Sequence, residues 1–503
     1  MEAHRVATTR SVRKLVFSRA ISVIAIAAAT LTGCATNPVT GEREVNLVSE
    51  EKEIQIGKEN DAAVRKQYGV YNAPALQAYV NEVGQKLAKH SQRANLEWHF
   101  TIVDSPDINA FALPGGYVYI TRGLMAYLDS EEELAGVIGH EIGHVTARHG
   151  AQRETQGTIA QALSIGAEIL GQVVGGVQGA GQAVAGAASQ WMLTYGRDQE
   201  LQADQLGATY LAGNGYDPKG MIKVIGVLKN QEVFAADRAR AEGKTVQKMP
   251  DWGSTHPSND QRLHDIVEIA NKLKVQGATD AGRDRYLRAI NGMTFGESRE
   301  QGVVHGNSFM HEPMGIAFSV PDGWKLRNSA DTVVAVNAAG TVGVAMALVT
   351  GAGANDEDII RKIFKPQAGQ AKATQINGLP TTYFVGRAVD EQGHPVPLEL
   401  TLIDYNKQTY LFRSMFKTVE AHNAAAPELR AVINSFHPIS AAERQQARPF
   451  QIRTLPLASG QNVGALARSA PLGRYAEQEL RLVNGIYPQG ELAAGRLVKT
   501  IAQ

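Results

Sequence analysis

Cysteine is almost missing from this sequence: Cys34 is the single one in 503 residues. One cysteine excludes an internal disulfide, and no second thiol remains for catalysis or metal binding. Net charge is missing too, since 50 basic side chains balance 50 acidic ones. That balance carries no electrostatic footprint for nucleic acid, and no such partner is expected. The apolar run from Ile21 to Leu31 is too short to span a bilayer. A second weakly charged stretch, between Glu154 and Arg197, is interrupted by glutamines and by Gly175 and Gly176, which disfavours a transmembrane hairpin. No helical repeat array is legible either.

What is present is His140-Glu141-Ile142-Gly143-His144. Two histidines four apart on a helix project from one face, so both imidazoles can reach one zinc. Glu141 then lies beside the water that completes the coordination, placed to accept its proton as it attacks a carbonyl. The surrounding pattern predicts a helix. Ser130 caps it with Glu133 three residues on in a capping box, and Leu134, Val137, Ile138, Ile142 and Val145 form an apolar stripe at helical spacing. Gly150 is the expected stop.

A hydrolytic zinc takes three protein ligands and leaves one position for water. A third histidine six residues beyond His144 is ruled out, because Gly150 stands there. On a continuous helix His149 points about 140° away from His144 and cannot share the metal. The ligand must come from another segment, and Glu200 is the best candidate. Glu200 and Asp204 lie four apart on one face of a second expected helix. One carboxylate can bind zinc while the other accepts a hydrogen bond from the far nitrogen of a ligating histidine.

The motifs HEIGHVTARH and RDQELQADQLG, in that order, resemble the M48 family of zinc metallopeptidases, which includes bacterial periplasmic quality-control proteases. Asn109-Ala110-Phe111, leading through Pro114-Gly115-Gly116 into Tyr117 to Ile120, is similar to that family's substrate-facing edge strand. Thr255-His256-Pro257 with Arg262 resembles its downstream active-site motif. The resemblance covers residues 38–270. It implies that His140, His144 and Glu200 bind one zinc ion per chain, that Glu141 is the base and that Asp204 supports a ligand. It also implies substrate contacts at Asn109, Ala110 and Phe111. His256 and Arg262 take an active-site role, either stabilising the oxyanion or, for His256, occupying the open zinc position in a latent enzyme. Gly196 departs from the family, which more often has Ser before the Arg.

Arg10, Arg13, Lys14 and Arg19 precede the apolar run ending in Leu31-Thr32-Gly33-Cys34. The expectation is a signal peptide over 1–33, with a bacterial lipobox. Resemblance to bacterial lipoproteins implies cleavage before Cys34 and its acylation. Ala35 in the next position implies sorting to the inner leaflet of the outer membrane, with the body in the periplasm.

The expected fold is multidomain α+β. A lipidated linker (34–48) leads into a mainly helical zincin-type (gluzincin) peptidase domain with a small sheet (49–295). The Gly- and Ala-rich stretch joining the two metal-bearing helices reads as a mobile apolar lid. An α+β sandwich-like domain (305–440), similar to the PsbP-like sandwich, has strands near Phe318, Val333 to Val349, Tyr383 to Ala388 and Leu398 to Tyr405. It adds a hairpin at Asn406-Lys407 and a closing helix from Pro427 to Phe436. The tail (446–503) resembles a small LysM-like module or a plain βααβ interaction domain. Taken together, the expected partners are unfolded or misassembled protein substrates and outer-membrane lipid through acylated Cys34. The outer-membrane assembly machinery or peptidoglycan are further partners. The expected function is zinc-dependent endoproteolysis in envelope quality control, with a chaperone or assembly factor as the alternative.

Overall fold

A computed structural model describes residues 34–156, 195–243, 256, 260–273, 275, 281–349, 355–389 and 394–503. The expected signal peptide and apolar lid lie outside these residues. The segment expected as a linker is ordered from its start: β1 (Cys34–Thr36) pairs antiparallel with β2 (Arg43–Val45). Glu44 of this ribbon accepts a hydrogen bond from Gln152 at 2.7 Å, and Thr155 Oγ1 accepts one from the Leu47 amide at 2.9 Å.

Helix α1 (Glu50–Tyr68) starts where Ser49 accepts a hydrogen bond from the Lys52 amide, with three acidic residues in its first turn complementing the helix dipole. Helix α2 (Pro74–Ala88) has proline at its first position, where the missing N–H costs nothing. Next come β3 (His99–Val103), β4 (Ala110–Leu113) and β5 (Tyr117–Thr121), in the spatial order β3-β5-β4. The strand at Tyr117 to Ile120, expected at the edge, is therefore central, and Ala110–Leu113 forms the edge. The short α3 (Arg122–Tyr127) follows.

Helix α4 (Glu131–Thr146) carries both motif histidines, and all sixteen of its residues are buried. Ser130 caps it as expected, accepting from the Glu133 amide. Glu133 instead reaches back one residue further, to the Asp129 amide at 2.6 Å. The helix stops at Thr146, four residues before Gly150, because Arg148 turns left-handed at φ 60°. Residues 149–156 are helical again. Helix α5 (Arg197–Gly213) crosses α4 where small residues meet: a Cβ on Gly143 would lie 3.0 Å from the Ala203 carbonyl, and one on Gly207 would lie 3.0 Å from the His140 amide. This close crossing brings the acidic residues of α5 to the histidines of α4. Helices α6 (Gly220–Ala241), α7 (Asp260–Lys272) and α8 (Arg283–Ala289) complete the helical layer. Among the described residues no helix is long and apolar enough to cross a membrane.

Strand β6 (Thr294–Phe295) leads into the second unit. There β7 (Val303–His305), β8 (Ser308–His311) and β9 (Ile316–Ser319) form a small sheet. A larger antiparallel sheet uses β10 (Lys325–Asn328), β11 (Thr332–Val336) and β12 (Val342–Val349). After α9 (Asp356–Phe364) come β13 (Ala368–Ile376), β14 (Leu379–Val389), β15 (Pro395–Tyr405) and β16 (Gln408–Phe416). The seven strands run β10-β11-β12-β16-β15-β14-β13. Asn406 and Lys407 turn β15 into β16 with φ of 51° and 63°, as the hairpin reading expects. Phe318 and Trp324 are buried with Phe309, Phe412 and Phe436. The closing helix α10 (Val419–Asn434) begins eight residues before Pro427, which sits inside it. Thr418 supplies the cap by accepting from the Ala421 amide, and that cap overrides the helix-start signal of the proline. Short β17 (His437–Pro438) joins the small sheet beside β9, and α11 (Ala441–Gln446) follows.

The tail has the order strand, helix, helix, strand: β18 (Phe450–Pro456), α12 (Val463–Ser469), α13 (Ala476–Val483) and β19 (Leu497–Ala502). It does not stand apart. β18 pairs with β6 on one side and β19 on the other. Ile452, Val463, Leu480 and Val498 belong to the same apolar core as Val83, Ile138 and Leu206. Lys499 is fully buried and donates to the Leu128 carbonyl at 2.5 Å and the Ala126 carbonyl at 3.2 Å. The unit 303–438 is thus inserted between two paired strands of a sheet that packs on the helical unit.

Candidate metal centre

The expected ligands converge. His140 Nε2 and His144 Nε2 are 3.0 Å apart. Glu200, brought in by α5, places Oε2 3.6 Å from His140 Nε2 and Oε1 3.5 Å from His144 Nε2. Donors about 2.0–2.1 Å from a tetrahedral zinc are about 3.4 Å from one another, so the two imidazoles and the carboxylate stand at spacings near those of such a site. His256 supplies a fourth donor. Its Nδ1 lies 3.2 Å from His140 Nε2 and 2.8 Å from Glu200 Oε1. His140, His144, Glu200 and His256 are all buried, and their donor atoms lie within 4.8 Å of one another.

Hydrogen bonds behind the donors set the tautomers. His140 Nδ1 donates to Asp204 Oδ1 at 2.8 Å, which leaves the Nε2 lone pair facing the centre. Asp204 thereby fixes the orientation of the His140 ring. His144 Nδ1 lies 2.9 Å from His149 Nδ1, and His149 Nε2 lies 2.8 Å from Gln202 Oε1. The consistent assignment has His144 donating to His149 and His149 donating to the glutamine. His149 lies outside the group of four converging donors. The left-handed turn at Arg148 nevertheless folds it back behind His144, a role that a continuous-helix projection cannot reveal.

Arg262 contacts the two carboxylates of α5. Its Nε and Nη2 grip Asp204 at 2.5 and 2.8 Å, and Nη1 lies 2.9 Å from Glu200 Oε2. In this structure it positions the two carboxylates. Glu141 is fully buried, with Oε1 3.6 Å from His256 Nε2. Tyr195 stacks on His144 with ring centres 3.8 Å apart, and Arg153 lies 4.2 Å from the tyrosine ring centre. A second buried cluster fixes the end of α4. Glu53 binds Arg93 at 2.7 Å and Arg148 at 2.5 Å, and Arg93 also donates to the Val145 carbonyl at 3.0 Å. Neither Tyr195 nor Glu53 carries a local sequence signal for these roles, since the contacts span long separations.

Protonation follows burial. Desolvation lowers His140 and holds His144 well below the usual imidazole value. Burial also lowers His256 strongly, with Arg262 adding to it. The imidazoles are thus neutral and present lone pairs. Burial pushes Glu200 up to about 7, against the pull of His140 and Arg262. For Asp204 burial acts upward too, but Arg262 and His140 win and hold it well below the usual carboxylate range. Neutral imidazoles with a carboxylate form a donor set suited to zinc, and the residues present fit that ion.

The other expected site residues are less open. Asn109, Ala110 and Phe111 are all buried. Ala110 faces the main core, while Phe111 packs with Val64, Leu113 and Tyr119. Asn109 Oδ1 is buried without a hydrogen-bond partner, and β4 forms an edge of its sheet. Cys34 begins β1, apart from the centre in sequence.

A helix-borne His-Glu-x-x-His pair completed by a glutamate from a second helix defines the gluzincin class of metallopeptidase sites. Residues 74–270 match the profile of Peptidase family M48. The chain is 34% identical over 209 residues to the "Beta-barrel assembly-enhancing protease" of Yersinia pestis, covering 40% of each. It is 30% identical over 275 residues to the Escherichia coli (strain K12) protein of the same name, covering 53% of this chain and 54% of that one. It is also 26% identical over 251 residues to the "Mitochondrial metalloendopeptidase OMA1" of Schizosaccharomyces pombe, covering 48% of this chain and 68% of that protein. The match to the two bacterial relatives spans about half of their length or less.

Proposed function

We propose that the chain is a zinc-dependent endopeptidase that hydrolyses misfolded or stalled outer-membrane proteins in the periplasm. The observation that carries the reading is the convergence of His140, His144 and Glu200 around one point, with Glu141 on the adjoining position of the same helix. Zinc, when bound, supplies Lewis acidity to the scissile carbonyl and to the attacking water. Glu141 takes the proton that the water loses and returns it to the leaving amine. Asp204 and Arg262 hold His140 and Glu200 in place, and the buried surroundings strengthen each of these interactions. An extended substrate can pair with the backbone edge of β4, which lies against α4.

His256 acts in this reading as a removable fourth donor. While its Nδ1 stands among the other three donors it fills the position the substrate carbonyl or water needs, so hydrolysis requires the His256 side chain to leave that position. The substrate class and compartment draw on the relatives' names and on the lipobox sequence. Acylated Cys34 would anchor the enzyme to the inner leaflet of the outer membrane. Because β1 begins at Cys34, the anchor would join the folded body with little tether between.

Glu141→Gln tests the chemistry. It should keep zinc and abolish cleavage of casein; full cleavage would overturn the mechanism. The rival reading is a chaperone or assembly factor for which proteolysis is secondary. Complementation of a deletion strain by Glu141→Gln would favour that rival, and loss of complementation with zinc retained favours the protease.

A further inference from the structure

The seven-stranded sheet has two unlike edges. β10 is four residues long and contains Lys325 and Arg327. Asn328 of this strand donates to the carbonyls of Gln301 and Gly302. Short length, charge and a covering segment are the devices that blunt an edge. β13 has few of them. It runs nine residues, Ala368–Ile376, eight of them exposed. It pairs with β14 through nine successive residue pairs without a bulge. It contains no proline, one charge (Lys372) and mostly small side chains, which leave the backbone uncovered.

Which backbone groups face outward follows from the turn. Asn377 and Gly378 join β13 to β14 with φ of 50° and 79°, a two-residue turn of the type that closes on a pair exchanging both hydrogen bonds. That pair is Ile376 with Leu379. Even-numbered residues of β13 therefore bond inward to β14. Gly369, Ala371, Ala373 and Gln375 present their N–H and C=O groups outward. Asn377 pins the turn by donating to the carbonyls of Asn434 and Phe436, each at 2.8 Å. Beside it, β14 exposes Tyr383, Val385 and Val389, three apolar side chains on one face by strand alternation.

We propose that the outer edge of β13 is a docking site for an extended β-strand segment of another protein, added as an eighth strand. The backbone groups of Gly369, Ala371, Ala373 and Gln375 hold it, and Tyr383 and Val385 favour apolar residues on the same face. This inference rests on the reading that clients are unassembled β-barrel proteins, whose strands lack their neighbours. The occupant is a client strand and not a second copy of this chain. Lys372 is the midpoint of β13, so in-register antiparallel pairing of two copies would set Lys372 against Lys372, and like charges directly opposite are destabilising. A client strand carrying a neutral or acidic residue there meets no such repulsion. The site lies on the accessory sheet, separate from the β4 edge beside the metal centre, so it would hold a client while another segment is cut.

The probe is a fluorescent nine-residue peptide of alternating valine and threonine with a central glutamate, titrated into the full chain. The expected result is saturable binding with slowed amide exchange at residues 369, 371, 373 and 375. Ala371→Pro with Ala373→Pro removes two outward donors without touching the inward ladder, and should weaken binding at least ~tenfold. A peptide N-methylated on alternate amides should fail against the unaltered chain, an arm that does not depend on how the variant folds. Lys372→Glu should weaken the central-glutamate peptide and favour its central-lysine counterpart. Equal binding of the N-methylated peptide, or unchanged binding by the folded double-proline variant, overturns the proposal. So does a dimer in solution that the double-proline change dissolves, since the second copy would then be the occupant. Casein cleavage is read separately on the same samples. Cleavage without peptide binding removes only the docking edge, and binding without cleavage removes only the peptidase reading.

Discussion

Nδ1 of His256 lies 3.2 Å from Nε2 of His140, the nitrogen whose lone pair faces the metal position. His256 belongs to neither α4 nor α5, the helices that carry the other three donors. If it is a removable donor, His256→Ala should keep zinc at one ion per chain and raise the rate of casein cleavage several-fold. If it stabilises the oxyanion instead, the same change should lower kcat by about a hundredfold or more. Zinc content and cleavage rate measured on one preparation separate the two.

His149 is a quieter determinant. It receives the Nδ1 hydrogen of His144 at 2.9 Å and is itself fixed by Gln202. Partners of this kind set ligand orientation, and their removal typically costs about 10–100-fold in metal affinity. His149→Ala should therefore weaken zinc binding by that order in a chelator competition while leaving the secondary structure intact. Unchanged affinity would mean that stacking by Tyr195 suffices to orient His144.

Lys499 ties the tail to the helical unit and gives stability a pH signature. Burial pushes it down to about 8 from 10.5, despite the pull of Asp129 and Glu133. Folded, it releases its proton earlier than unfolded. Between pH 8 and 10.5 the unfolded chain thus binds more protons, and this group makes stability rise with pH. Glu133, raised by burial to about 7, acts with the opposite slope, losing stability as pH climbs from 4.5 to 7. Lys499→Met should flatten the rise above pH 8 in urea unfolding series at stepped pH. A rise of unchanged slope in that variant would assign it to other groups.

The metal helix was legible because its information is local: a cap at Ser130, an apolar stripe, and two histidines at helical spacing. Glu200 and Asp204 were legible for the same reason on α5. The return of His149 was not, because it depends on a left-handed Arg148, a conformation that only glycine and asparagine advertise in sequence. The Glu53 cluster joins residues tens of positions apart, with no periodicity to mark it. β13 escaped because alanine, glutamine, lysine and glycine are poor strand formers, so the strand owes its existence to pairing with β14. The tail's element order could be read, but its merging with the core of the helical unit could not, since β6 contributes only two residues.

Arg262 shows how far the centre depends on geometry beyond its charge. Its planar guanidinium grips Asp204 through two nitrogens while a third reaches Glu200. Both carboxylates are buried, so removing the cation leaves charges in a medium that solvates them poorly. A lysine restores the charge but not the fork. Arg262→Lys should consequently lose about 10–100-fold in zinc affinity, and the gain in melting temperature on adding zinc should shrink with it. Casein cleavage should fall at limiting zinc and recover in part at saturating zinc, because the residue acts through the ligands. A loss of kcat that saturating zinc leaves untouched would instead place the guanidinium in direct contact with the reacting atoms.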